Sequence, residues 1–150
     1  MKNKFSNYID ELQKNITDVC EKLDGKSKFI KNPWKRSEGG GGLTMVIEDG
    51  NVFEKGGINV SKIFGKLPKI IAEQLNVNGA DFFACGLSLV LHPKNPMAPT
   101  VHANFRYFEA YKDGALIDQW FGGGTDLTPY YLFQKDAIHF HEVCKKTCDR

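Results

Sequence analysis

The chain has 150 residues, of which 41% are apolar and 25% are charged, with 20 basic and 18 acidic side chains. A chain of this size predicts a single domain over residues 1–150. The mild positive excess forms no concentrated basic stripe, so nucleic-acid binding is not indicated. The longest apolar run, residues 82–91, is about half of what a membrane-spanning helix needs, and the N-terminal segment has no apolar signal core. The sequence therefore predicts a cytoplasmic protein without an integral membrane segment.

The N-terminal half of the chain begins with a helical pattern. Apolar side chains from Phe5 to Leu23 recur on one face of a helix that is expected to end at Asp24 and Gly25. Short β-like runs between glycine-rich turns follow at residues 43–48, 51–55 and 58–63. Residues 68–75 predict a short helix that opens with proline, a residue tolerated in the first helical turn.

The second half contains the two strongest strand patterns, residues 82–92 and 101–111. A turn with three prolines joins them, which favours an antiparallel hairpin. A glycine-rich segment at residues 122–124 then predicts a loop. Residues 134–149 predict a closing helix, with Thr128 and Pro129 as its N-cap and first-turn residue.

Polar side chains alternate with apolar ones along the second strand of this hairpin. His102, Asn104 and Arg106 alternate with valine, alanine, phenylalanine and tyrosine, so a pleated strand points all three the same way. An imidazole, an amide and a guanidinium in series suit the binding and protonation of a carboxylated ligand. If the hairpin pairs as predicted, the surface also includes residues of the first strand and of the glycine loop, namely Ser88, His92 and Asp126.

Each of these features also has a purely structural interpretation. The four glycines at residues 39–42 are typical of a flexible loop, and no Gly-Lys-Ser/Thr follows to make a phosphate loop. The glycines at 122–124 are either a tight turn or a cradle of backbone N–H groups for a carboxylate. His92 alone is typical of a structural histidine. Arg106 could equally form a structural ion pair with Glu109 or Asp126.

Metal binding is a further alternative for the end of the chain. The four cysteines have no Cys-x-x-Cys spacing and are expected to be reduced. His141, Cys144 and Cys148 share one helix face at i, i+3 and i+7. A structural zinc site usually closes with four ligands, so a zinc-binding structural domain is the weakest of the interpretations.

Four motifs, in order and without large gaps, carry a family resemblance from Trp34 to the last residue. They are GGGG at 39–42, NVFEKGGINVS at 51–61, LHPKNPMAPTVHAN at 91–104 and WFGGGTDLTPYY at 120–131. With these motifs the chain closely resembles the oxygen-dependent coproporphyrinogen III oxidases of haem synthesis. The fold of that family, a broad antiparallel sheet with helices on both sides, implies an α+β domain.

The resemblance implies an oxidoreductase reaction. Members use molecular oxygen as co-substrate to convert two propionates of coproporphyrinogen III to vinyl groups, which gives protoporphyrinogen IX, carbon dioxide and hydrogen peroxide. No organic cofactor is implied, and the complete enzyme is a homodimer. A non-catalytic module that binds a tetrapyrrole or another carboxylate is the alternative function.

The resemblance also implies roles for individual residues. His102 matches the proton donor, and Asp126 is the base or the anchor of the pyrrole N–H groups. Arg106 binds a propionate, because its planar fork matches a carboxylate. Ser88, Asn104 and Phe105 complete the substrate-binding set.

Two consequences of the resemblance remain open at the level of the sequence. His92, His102 and His141 match three of four histidines that bacterial members assign to a divalent metal, whereas many members are regarded as needing no metal. Family members also continue through further strands and a late Gly-x-Arg motif. The chain therefore resembles the N-terminal half of a member, and we expect little or no activity from it alone.

Overall fold

A computed structural model describes residues 1–74 and 79–149 of the chain. It has the predicted α+β fold, in which six antiparallel strands follow one another across a single sheet in chain order. The elements are α1 (Lys2–Asp24), β1 (Ile30–Lys35), β2 (Gly40–Glu48), β3 (Phe53–Lys66), α2 (Lys69–Gln74), β4 (Asp81–Pro93), β5 (Thr100–Lys112), β6 (Ala115–Thr128) and α3 (Gln134–Cys148).

Helix α1 covers one face of the sheet. The core beneath it is built from alternate residues of the strands, because successive side chains of a strand point to opposite faces. Ile47, Ile58, Leu87 and Tyr107 are almost fully buried there, together with Ile9 of the helix. This arrangement leaves the other members of each strand on the opposite face of the sheet.

The predicted apolar stripe of α1 is partly wrong. Tyr8, Val19 and Leu23 are 54%, 63% and 63% exposed, whereas the polar Gln13 and Thr17 are buried. The physical reason is hydrogen bonding, since the Gln13 amide donates to the carbonyls of Leu43 and Ile58 at 2.9 and 2.7 Å. Because its hydrogen bonds are made, this amide can occupy a buried position that the pattern assigned to an apolar side chain.

The predicted end of α1 is confirmed, and it doubles as a link to the sheet. Gly25 takes the left-handed conformation with φ 70, as C-terminal glycines commonly do. Asp24 is buried and accepts backbone N–H groups from Ser27 at 2.9 Å and from Phe53 at 3.0 Å. These hydrogen bonds hold the pKa of Asp24 far below its usual range and join the helix to the turn between β2 and β3.

The predicted hairpin of residues 82–92 and 101–111 is confirmed as β4 and β5, with Ser88 opposite Asn104. The runs at 51–55 and 58–63 belong to one strand, β3, which passes through Gly56 and Gly57. Strand β1 was not predicted. All of its residues are exposed, so it lacks the alternation of buried and exposed positions on which sequence reasoning depends.

The glycine-rich segments differ most from expectation. Gly122–Gly124 form no loop but lie inside β6, paired with β5, and β2 begins within the four glycines at Gly40. The predicted cap at Thr128 is also wrong, because that residue ends β6 and α3 begins after Phe133. The short predicted helix is α2, and Leu75 falls outside the described residues.

The sheet surface opposite α1, which we call the open face, is covered at one end. There Ala72 of α2 and Leu67 pack with Phe82, Phe108 and Ala110 in a second, smaller core. The rest of the open face carries the predicted polar residues. None of the described helices combines the length and the apolar character that crossing a membrane requires.

Candidate active site

A row of polar side chains crosses the open face from strand to strand. In register, Asn32 faces Thr44, Thr44 faces Asn59, Asn59 faces Ser88 and Ser88 faces Asn104. Cross-strand neighbours of this kind lie on the same face of the sheet. The result is a continuous line of amides and hydroxyls over five strands, which can both donate and accept hydrogen bonds.

His102 and Asp126 form a pair at one side of this row. They are direct cross-strand neighbours in β5 and β6, and the His102 Nδ1 lies 2.8 Å from the Asp126 Oδ1. Thr128 donates a further hydrogen bond to the same oxygen at 3.2 Å. A carboxylate on Nδ1 fixes the orientation of an imidazole and leaves its Nε2 for a ligand. The pair is therefore arranged to exchange a proton with a molecule on the open face.

Arg106 stands beside the row, and an amide fixes its guanidinium. Its Nε donates to the Asn104 Oδ1 at 2.9 Å, which fixes the guanidinium without a counter-charge. Within the described part of the chain no carboxylate lies at salt-bridge distance from Arg106. The alternative of a structural ion pair is thus not observed for Asp126, which pairs with His102.

Glu109, the other partner considered for Arg106, lies on the opposite face of the sheet. It is buried and accepts hydrogen bonds from the hydroxyls of Tyr107 and Tyr111. The hydrogen bond to Glu109, with desolvation, raises the pKa of Tyr111 to about 12. This cluster belongs to the core under α1 and not to the site.

Two adjoining cavities lie along the open face. One of about 490 Å³ reaches His102 and Asp126, and the other of about 540 Å³ reaches Trp34. They share four polar residues, Asn59, Ser88, Asn104 and Arg106. The predicted grouping of Ser88, Asn104, Arg106, His102 and Asp126 on one surface is therefore present in the structure.

His92 lies on the same surface, but the three histidines do not form a common donor set. The rings of His92 and His102 are 6.4 Å apart and perpendicular, and the His92 Nδ1 faces the Thr100 hydroxyl at 3.3 Å. His141 is on α3, where it lines a cavity of about 240 Å³ that also reaches Asp126. Over residues 1–74 and 79–149, the structure contains no group of three or more His, Cys, Asp or Glu side chains placed to hold a metal ion, zinc included.

Phe105 is the one predicted substrate-binding residue that the structure separates from the others. It pairs with Leu87 and therefore points to the α1 side of the sheet. There it lines an apolar cavity of about 650 Å³ together with Phe5, Phe121 and the α3 cysteines Cys144 and Cys148. A role for Phe105 in contact with a ligand on the open face is not supported by this position.

Sequence reasoning missed Asn59 and Trp34. The Oδ1 of Asn59 is buried and has no hydrogen-bond partner among the described residues, although it borders both cavities. In the sequence Asn59 lies between the apolar Ile58 and Val60, and this alternation could have indicated that it lies on the polar face of a strand. Trp34 lies on the unpredicted strand β1, where its indole packs over Gly42 so closely that a Cβ there would lie 2.6 Å from the ring.

The fold and the open face together define a class of protein, an α+β protein with a cation, a histidine–carboxylate pair and hydrogen-bonding groups on an uncovered sheet. The family model described as coproporphyrinogen III oxidase matches residues 4–150. The chain belongs to the coproporphyrinogen III oxidase family. The resemblance inferred from the motifs is thereby confirmed.

Curated relatives agree with this assignment. The chain is 48% identical to the oxygen-dependent coproporphyrinogen-III oxidase of Coxiella burnetii, with 95% of this chain and 47% of that protein covered. It is 46% identical to the chloroplastic coproporphyrinogen-III oxidase 1 of Arabidopsis thaliana, covering 98% of this chain and 41% of the relative. It is 44% identical to the mitochondrial oxygen-dependent coproporphyrinogen-III oxidase of Rattus norvegicus, with 100% of this chain and 36% of that protein covered. The chain thus spans less than half the length of these relatives.

Proposed function

We propose that the chain forms part of an enzyme that oxidatively decarboxylates two propionates of coproporphyrinogen III to vinyl groups. Each propionic acid side chain and one O₂ give one vinyl group, one carbon dioxide and one hydrogen peroxide, so oxygen takes up the two electrons. The observation that carries this proposal is the presence on the same open face of the His102–Asp126 pair and of Arg106, which has no carboxylate partner among the described residues. The names of the relatives support oxygen as co-substrate.

Arg106 is the proposed anchor of a substrate propionate. Its fork can form two parallel hydrogen bonds to a carboxylate, and such charge-assisted pairs are stronger than neutral ones. Asn104 orients the guanidinium through its Oδ1, and Ser88 lies next to Asn104 across the strands. Both can donate further hydrogen bonds to the same carboxylate.

Asp126 and His102 are the proposed proton-transfer groups. The reduced tetrapyrrole is electron-rich, and removal of a pyrrole N–H proton prepares it to react with oxygen directly. In this proposal Asp126 accepts that proton or anchors the N–H groups, and His102 returns a proton, as general acid–base catalysis requires. The carboxylate stays hydrogen-bonded to His102 and Thr128, which offsets the cost of covering it with an apolar ring.

A divalent metal at His92, His102 and His141 does not fit the arrangement of these residues. Metal ligands of one site must converge at about 2.0–2.1 Å from a common point, and over residues 1–74 and 79–149 no three His, Cys, Asp or Glu side chains converge in this way. The proposed reaction steps therefore use only the protein groups and oxygen.

The proposal extends to partners and compartment. The complete enzyme is proposed to act as a homodimer on coproporphyrinogen III, in keeping with the family resemblance. The cytoplasmic location stays a prediction, because the relatives include a chloroplastic and a mitochondrial protein.

Product formation by the chain supplied with the C-terminal half of a close relative tests the proposed function. We expect oxygen-dependent formation of protoporphyrinogen IX, measured as protoporphyrin fluorescence after oxidation, and none under anaerobic conditions. The control is the same mixture with Asp126→Asn in the chain. Binding of the substrate without any product in the oxygenated mixture would contradict the proposal.

A further inference from the structure

Most of the 15 glycines of the chain are explained by the fold. Gly25 and Gly114 have φ of 70 and 79, a conformation that other residues rarely take. A Cβ on Gly86 would lie 2.6 Å from the Phe105 carbonyl oxygen, and one on Gly123 would lie 2.3 Å from that of Asn104. At positions of both kinds the backbone itself requires glycine.

Gly57 and Gly124 have neither explanation. Neither has a positive φ, and a Cβ on Gly124 would meet no atom of the described residues within 4 Å. A Cβ on Gly57 would make only ordinary contact with the Asn59 amide, at 3.7 Å. Glycine inside a strand costs stability relative to residues with side chains. The fold therefore gains nothing from glycine at these two positions.

Both glycines lie on the open face. Gly124 of β6 faces Asn104 and lines the cavity of His102 and Asp126 as well as the apolar cavity. Gly57 of β3 faces Val90, which in turn faces His102. Three inter-strand steps of about 4.8 Å each separate β3 from β6, a width that suits a tetrapyrrole with its side chains.

We infer that Gly57 and Gly124 are two places where the ligand lies directly against the backbone of the sheet, a pyrrole ring at one and a substituent of another ring at the other. A glycine inside a strand often marks a bulge, a bend, or the close approach of a ligand or of another backbone, and at these two positions free space lies above the backbone. A Cβ stands perpendicular to the sheet and would hold the ligand away from the backbone at that place. The absence of both Cβ atoms then determines which ring substituents the site accepts. For the identity of the ligand this inference rests on the proposed function.

Alanine substitutions test the inference because they add one methyl group at each place. The variants are Gly57→Ala, Gly124→Ala and the larger Gly124→Val, with Gly123→Ala as the matched control for a glycine that the fold requires. Thermal unfolding is measured first. We expect both alanine variants at Gly57 and Gly124 to unfold at or above the temperature of the parent chain, and Gly123→Ala to unfold below it.

Binding is then measured by anaerobic titration with coproporphyrinogen III, followed by tryptophan fluorescence. We expect Gly57→Ala and Gly124→Ala to weaken binding about tenfold or more, as one misplaced methyl group does in a fitted pocket, and Gly124→Val to weaken it further. Parent affinity in both alanine variants, or a loss of stability in them, overturns the inference and leaves the proposed function intact. Failure of the unmodified chain to bind contradicts the proposed function, and the inference is overturned with it.

Discussion

Arg106 is oriented by an amide and has no carboxylate partner in the part of the chain that the structure describes, and this distinction separates a binding arginine from a structural one. Asn104 accepts from Nε, which leaves the outer edge of the guanidinium for a bidentate partner. Lysine in the same place would keep the charge but lose the paired geometry.

Arg106→Ala is therefore expected to weaken the binding of coproporphyrinogen III by about 1.5–3 kcal/mol, the range for a hydrogen bond to a charged group. Arg106→Lys is expected to weaken it less. Equilibrium titrations under anaerobic conditions measure both. Unchanged affinity in the two variants would remove Arg106 from the site.

Asp126→Asn keeps the shape of the side chain but removes its capacity to take a proton. In the chain complemented with the C-terminal half of a relative, we expect turnover to fall by about 10²-fold or more, as loss of a general base does. Substrate affinity and the unfolding temperature are expected to change little, since Asp126 is largely exposed. Turnover at the parent rate would leave the proposed mechanism without its base.

At the scale of elements, Asp24 connects the end of α1 to the turn between β2 and β3. Backbone N–H groups of Ser27, Asn51, Val52 and Phe53 all donate to its carboxylate. The hydrogen bond from Ser27 is the largest cause of the lowered pKa. One side chain thus satisfies donors on both sides of the junction.

The lowered pKa of Asp24 makes this junction sensitive to acid. A carboxyl group whose pKa is lower in the folded state stabilises the fold above its unfolded pKa, about 3.9, and loses that contribution as the pH falls toward the folded value. Asp24→Asn is expected to lower the unfolding temperature at pH 7 and to flatten its fall below pH 4. Asp18→Asn, at an exposed pair with Lys14, is the control and should change little. An unaltered pH profile in Asp24→Asn would show that the junction does not depend on the charge.

The elements that the sequence predicted are those with one buried and one exposed face. Strands β4 and β5 are rich in valine, leucine and phenylalanine that alternate with smaller or polar residues, so their hairpin and the face of His102 and Arg106 followed from the pattern. Strand β6 has mostly exposed residues and consecutive glycines, a composition typical of loops. Only pairing with β5 makes it a strand.

The candidate site was predictable for the same reason and to the same extent. Alternation placed Asn104 and Arg106 on one face, but the membership of Asn59 depends on the register of β3 with β4. Register is a property of strand pairs and cannot be read from one strand. Phe105 was counted among the site residues because of the family motif. Strand alternation places it on the face opposite to Asn104 and Arg106, and the structure agrees with the alternation.

At the scale of the whole molecule, the sheet and the last helix carry surfaces that are not covered. No residue of α3 is buried, and Phe121, Leu132 and Tyr130 are 54%, 77% and 81% exposed. Exposed apolar side chains in such number are typical of surfaces that contact another polypeptide. The unpaired edges of β1 and β6 add hydrogen-bonding groups of the kind that recruit further strands.

We therefore expect the purified 150-residue chain to associate and to show little or no decarboxylation by itself. Sedimentation velocity measures the first property and protoporphyrin fluorescence the second. Addition of the C-terminal half of a close relative should reduce the association and restore some activity. A monodisperse and fully active chain would show that these surfaces need no cover.

The proposed ligand binds on the open face of the sheet, opposite α1. Backbone NMR shift mapping during titration with coproporphyrin III, a stable oxidised analogue, distinguishes this face from the opposite one. We predict the largest changes at Asn59, Ser88, His102 and Asn104, which line the open-face cavities and not the apolar one, with Cys144 and Cys148 unaffected. Changes confined to the apolar cavity around Phe5, Phe121 and the α3 cysteines would place the ligand in that cavity and contradict binding on the open face.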